Sequence, residues 1–73
     1  MAEIEIKSEI AGKVWLIEAG VGQAVEEEDA VIILESMKME IPVVAPVSGK
    51  ITEILVEKDE AVAEGQTVAR MEG

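Results

Sequence analysis

One stretch of this 73-residue chain sets a reactive group where another molecule can reach it: Glu35-Ser36-Met37-Lys38-Met39-Glu40. A primary amine stands between two flexible, polarizable thioethers, with apolar β-type runs on either side. Acylation is the chemistry open to it, because a neutral lysine amine attacks an activated acyl group and forms a stable amide. Arginine, which keeps its proton, has no equivalent reaction. Little else in the chain is reactive. It has no Cys, His or Tyr, which excludes thiol and imidazole catalysis, disulfides and the common zinc sites. Carboxylates are plentiful, but paired-carboxylate chemistry needs two of them driven apart in pKa, usually by burial. The run Glu26-Glu27-Glu28-Asp29 reads instead as a solvated turn. No catalytic residue and no metal ligand is assigned, and the chain is not expected to be an enzyme in its own right.

The rest of the sequence has to position that amine. Sixteen acidic residues against six basic ones give a formal charge of -10. Such a charge repels phosphates, so nucleic acid is not an expected partner; it reads first as solubility and can also steer the domain toward basic protein surfaces. No basic-apolar leader opens the chain and no apolar run approaches membrane-spanning length. The expectation is a cytoplasmic protein with no direct membrane insertion, and the start at Met1 with a strand at once favours a complete small subunit. Seventy-three residues make one domain, which buries only about 60% of its unfolded surface. Its core must come from Val, Ile, Leu, Met and Ala.

A shift of 37 positions lays the chain on itself without a gap. Gly12-Lys13-Val14 meets Gly49-Lys50-Ile51, and Ala24-Val25 meets Ala61-Val62. Glu27, Val31 and Glu35 meet Glu64, Val68 and Glu72, and Glu3-Ile4-Glu5-Ile6 meets Glu40-Ile41-Pro42-Val43. The two halves run from about 2 to 36 and from 39 to 73, and each reads as short strands. Ile4 and Ile6 alternate with charges. Gly12 to Ile17 is rich in β-branched and aromatic residues and leads to a Gly20-Val21-Gly22 turn. Val31 to Leu34 is a short apolar run of the buried-strand type. Ile41 to Val44, Ile51 to Val56, Ala61-Val62 and Thr67 to Met71 follow. Pro42 cannot donate a ladder hydrogen bond, so it is expected on an edge strand or where an outward N–H would go unpaired. Two four-strand units, neither able to bury its apolar face alone, predict an all-β, quasi-twofold sandwich. The halves are expected to pack face to face around a shared core. Residues 36–39 join the halves, and their repeat equivalents are the chain ends, Ala2 matching Met39 and Gly73 matching Ser36. The ends are therefore expected at one end of the sandwich and the Met-Lys-Met turn at the other.

At Ser36 to Met39 the chain must reverse without the Gly, Asn or Asp that tight hairpins favour. The sequence thus predicts a non-glycine residue at positive φ. Its cost is about 1 kcal/mol or more, a form of strain that collects at functional sites. Strand alternation sends Met37 and Met39 one way and Lys38 the other, all beyond the end of the core, where two methionines beside a lysine make a recognition surface.

Glu35 to Glu40 resembles the biotin attachment motif of biotin-dependent carboxylases, a Met-Lys-Met triplet preceded by a small residue. Ala45-Pro46-Val47-Ser48-Gly49-Lys50-Ile51 is similar to that family's Ala-Pro-x-x-Gly-x-Val segment, and Gly65-Gln66-Thr67-Val68 resembles its Gly-Gln-x-Leu turn. The resemblance covers essentially all of residues 1–73 and is to the biotinyl domain (biotin carboxyl carrier) of the biotin/lipoyl attachment family. The chain looks most like the small single-domain members. It implies a flattened β-barrel, or barrel-sandwich hybrid, of two four-stranded antiparallel sheets, with the lysine on an exposed hairpin. It implies biotin held covalently on Lys38, with Met37 and Met39 as flanks recognised by a biotin protein ligase. It also implies two further partners, biotin carboxylase and carboxyltransferase, between which the domain carries a carboxyl group while catalysing neither half-reaction. Some positions depart from the family pattern. Glu9 stands where proline is frequent, and Glu28 and Asp59 stand where glycine is frequent. The gapless repeat leaves no space for the thumb of some acetyl-CoA carboxylase carriers, which favours carriers of the acyl-CoA, pyruvate or decarboxylase type. Two alternatives stand beside this reading. One is a lipoyl carrier domain, whose motif typically has Asp before the lysine and Ala after it. The other is an unmodified structural adaptor of the same fold.

Overall fold

The structure, a computed structural model, describes residues 3–73; Met1 and Ala2, the latter matched to Met39 by the repeat, lie outside the described residues. The strands are β1 (Glu3–Lys7), β2 (Gly12–Ile17), β3 (Ala24–Val25), β4 (Ala30–Ser36), β5 (Met39–Val44), β6 (Gly49–Ile54), β7 (Ala61–Val62) and β8 (Thr67–Glu72). They form two four-stranded antiparallel sheets, ordered β1-β8-β6-β3 and β5-β4-β2-β7, and no helix occurs among the described residues. The expected all-β sandwich is present. Its sheets end at β1, β3, β5 and β7 and do not close into a barrel. Pro42 lies on β5, an edge strand, where a missing N–H breaks no ladder.

The halves do not pack face to face as separate layers. Each sheet is centred on two strands of one half, β4 with β2 or β8 with β6, and is flanked by the first and third strands of the other half. Alternation along a strand says which residues face inward, but not which strand lies alongside, so the sequence pattern was silent on this exchange. Lending strands across the interface completes both sheets and ties the halves together. The lent edge strands β3 and β7 are two residues long, which limits the unpaired edge open to another chain.

Each of the four long central strands carries a bulge. The register shifts around Trp15 in β2 and Thr52 in β6, and around Val31 in β4 and Val68 in β8. A bulge re-aims neighbouring side chains. This explains why Val31 and Ile32, and likewise Val68 and Ala69, are fully buried as consecutive pairs. With Ile6, Val14, Leu34, Ile51 and Met71 they form one continuous core. The body is elongated, 36 × 18 × 17 Å. From residue 39, β5 leads away from the β4–β5 turn, and residues 45–48 deliver the chain to Gly49, against the backbone of Glu72. Glu72 in turn pairs with Glu3. The described ends thus lie side by side, remote from that turn.

Candidate functional site

β4 and β5 form a hairpin whose last paired residues are Ser36 and Met39. Its loop is therefore two residues, Met37 and Lys38, and both have positive φ, 52° and 64°. Two left-handed central residues are what a type I′ turn requires, because only its twist matches that of the flanking strands. Register is fixed from below, where Leu34, fully buried, opposes Ile41. A one-residue slip would turn Leu34 out of the core. The strands thus impose on a Met-Lys pair a backbone that neither residue favours.

Beyond the core these side chains are open to solvent. Met37 is 92% exposed and Met39 60% exposed, and Lys38 is exposed between them. Among the described residues Lys38 takes part in no ion pair and no side-chain hydrogen bond. Glu35 and Glu40 face each other one step down the hairpin. Like charges directly opposite weaken a ladder slightly, so this pair gives the hairpin no stability. Lys13, the partner of Glu35 on the other side, makes its ion pair with Asp59 instead, at 3.8 Å.

This arrangement offers a primary amine on a four-carbon stem with nothing holding it down. It suits a group joined by an amide and carried outside the body of the domain. Two recesses on the body are small. A groove lined by Lys7, Ser8, Glu9, Ile10 and residues 41–44 measures about 150 Å³, and a recess beside Trp15 and Glu35 about 50 Å³, both below the usual size of a small-molecule site. The run Glu26-Glu27-Glu28-Asp29 is an exposed turn.

The sequence places turns at 20–22, 26–29 and 65–68 but does not show the side-chain bonds that close them. At 20–23, 26–29, 57–60 and 63–66 the first residue's N–H donates to the fourth residue's side chain: Gln23, Asp29, Glu60 or Gln66. The fourth residue's N–H donates back to the first residue's carbonyl at 3.0–3.1 Å. The third residue is left-handed in every case: Gly22, Glu28, Asp59 and Gly65. Each turn is also pinned by a reciprocal pair of backbone bonds, to Ile51, Ala45, Val14 and Ser8 respectively. The departures at Glu28 and Asp59 therefore leave the glycine-type backbone intact. An acceptor side chain one residue past each glycine-like position, repeated four times, was the available signal.

The family described as biotin-requiring enzyme matches residues 5–71. A biotin/lipoyl attachment protein of Bacillus subtilis is 36% identical over 66 residues, covering 90% of this chain and 90% of that protein. A homolog of biotinylated protein TB7.3 from Mycobacterium leprae is 35% identical over 69 residues, covering 94% and 96%. The crystal structure of urea carboxylase from Kluyveromyces lactis superposes with a TM-score of 0.93 at 39% identity over 99% of this chain. The chain spans nearly the whole of the two small proteins but 6% of the urea carboxylase.

Proposed function

Since this chain belongs to the biotin-requiring family of biotin/lipoyl attachment domains, we propose that it is a biotin carrier and that Lys38 is its attachment residue. The observation that carries this reading is an unpaired primary amine at the tip of a two-residue, left-handed turn. Lys38 Nζ must lose its proton before it can attack an activated acyl carbon. The exposed tip buries no base beside it, so deprotonation falls to the partner that supplies the acyl group, a biotin protein ligase. Met37 and Met39 flank the amine as adaptable apolar contacts for that partner. The chemistry biotin supplies when bound is reversible uptake of a carboxyl group. Lys38 contributes the tether, which confines the carried group near the domain and raises its effective concentration at any site the domain visits.

Two such sites complete the proposal, a biotin carboxylase and a carboxyltransferase, in a carboxylase or decarboxylase complex to which this chain contributes no catalytic residue. The similarity to part of a urea carboxylase supports this setting. A cytoplasmic location belongs to the same proposal; among the described residues no helix is long and apolar enough to cross a membrane.

A lipoyl group on the same lysine is the second reading, favoured by the dual name of the Bacillus subtilis relative. Met37 and Met39, where that resemblance would put Asp and Ala, weigh against it. Intact mass after incubation with each ligase separates the two. Addition of biotin to wild type and none to Lys38→Arg is expected. Lipoyl addition without biotin addition, or a streptavidin signal that survives Lys38→Arg, defeats the proposal.

A further inference from the structure

The internal repeat gives the two sheets the same outer backbone but different outer side chains. On the β1-β8-β6-β3 sheet, Arg70 is flanked by Glu5 on β1 and Glu53 on β6. It pairs with Glu53 at 2.9 Å and lies 3.9 Å from Glu5 and 3.8 Å from Glu3. On the β5-β4-β2-β7 sheet the register equivalents are Ile33, flanked by Pro42 and Leu16. Ile33 lies between Ile32 and Leu34, both fully buried, so alternation turns it to the outer face. Pro42 and Leu16 are exposed there. Sheet geometry asks nothing different of the two rows, so the absence of charge from one of them is a property of sequence alone. The apolar row also lies on the strands that carry the Lys38 turn. Between row and turn stand Glu35 and Glu40.

We propose that this face, the Leu16–Ile33–Pro42 row with its Glu35 and Glu40 rim, is the surface on which the ligase that acylates Lys38 docks. The inference rests on Lys38 being the attachment residue. Two arguments select this occupant. An unmodified lysine reaches only as far as its own four-carbon stem, so the enzyme that loads it must touch the body of the domain around the turn. Enzymes that act on the loaded arm meet a much longer tether and have no such need. The acidic rim, on a chain of charge -10, selects a partner whose apolar patch is edged by Lys or Arg, since complementary charge sets encounter and register. The Glu5–Arg70–Glu53 face, its carboxylates already engaged by one guanidinium, offers no comparable apolar ground.

The repeat supplies its own test. The triple variant Leu16→Glu, Ile33→Arg, Pro42→Glu copies onto this face the row that the other sheet already holds on an equivalent backbone. Initial rates of biotinylation by the ligase are measured against substrate concentration, with thermal melting of each protein alongside. The expected result is a rise in KM of tenfold or more with kcat little changed, and no change in either for Arg70→Gln on the opposite face. The single variant Leu16→Gln, expected to raise KM severalfold, covers the case in which the triple does not fold. Wild-type acylation at Lys38 with unchanged KM in the folded triple variant, or in Leu16→Gln where the triple does not fold, overturns the docking surface and leaves the attachment reading standing. Wild type that is not acylated at Lys38 overturns both. Concentration-dependent dimers of wild type, lost in a variant that is acylated normally, overturn the ligase in favour of a second copy of this chain.

Discussion

Two kinds of left-handed backbone occur in this molecule, and they are treated differently. In the four body turns each left-handed residue is held in place from several directions. Gly22 and Gly65 carry no Cβ to strain. Glu28 and Asp59 do, but their turns have the same side-chain bonds, the Glu26 N–H donating to the Asp29 carboxylate at 2.9 Å and the Glu57 N–H to the Glu60 carboxylate at 3.0 Å. Backbone pairs to Ala45 and Val14 add to these. At the tip, Met37 and Lys38 take up the same region with only the hairpin ladder behind them. Strain in the body is offset locally. Strain at the tip is imposed by the strands and kept, which is the pattern expected where the identity of a side chain matters more than the comfort of its backbone.

The comparison can be broken at either pole. The largest effect is expected in the body, where Ile51 joins both systems: its backbone pairs with the 20–23 turn and its side chain is buried. Ile51→Ala should cost about 2 kcal/mol or more, read from denaturant midpoints at constant slope, and a loss near zero would mean that this side chain is not part of the core. Gly65→Ala comes next. Space is open around a Cβ at that position, so the change isolates the backbone term at φ +83°. A loss of about 1 kcal/mol is expected, and no loss would remove the premise that left-handed φ is costly here. At the tip the sign reverses. Met37→Gly should gain roughly 0.5 kcal/mol by relieving strain while slowing acylation of Lys38, and equal or faster acylation would show that the methionine is not recognised. Smallest of all is Met37→Ala or Met39→Ala, expected to change stability by less than about 0.5 kcal/mol because both side chains are mostly exposed. A large fall in thermal midpoint in either would return that methionine to the core.

Much of this was legible from residues alone. Period-two alternation placed β1, β-branched and aromatic content placed β2, and the missing turn residues at 36–39 announced the positive φ found at Met37 and Lys38. Pro42 pointed to an edge or to an unpaired outward position, and β5 is an edge strand. Two features were not readable, for a common reason. Strand exchange between halves and the bulges at Trp15, Val31, Thr52 and Val68 depend on what lies alongside a residue, whereas the side-chain acceptors of the body turns lie three residues along the chain and were legible as a repeated pattern. Composition and periodicity describe only what precedes and follows a residue. Val31 and Ile32, buried side by side, look like a buried strand whether or not a bulge intervenes.

Glu35 facing Glu40 and Glu72 facing Glu3 occupy the same register in the two sheets. Beyond the first pair the polypeptide runs on through Lys38; at the second, Glu72 and Glu3 face each other with no turn joining them. The architecture is therefore a ring opened at one of two interchangeable junctions. A permuted protein, sewn shut across Glu72 and Glu3 and severed at Lys38, should assemble the same body while having no arm to load.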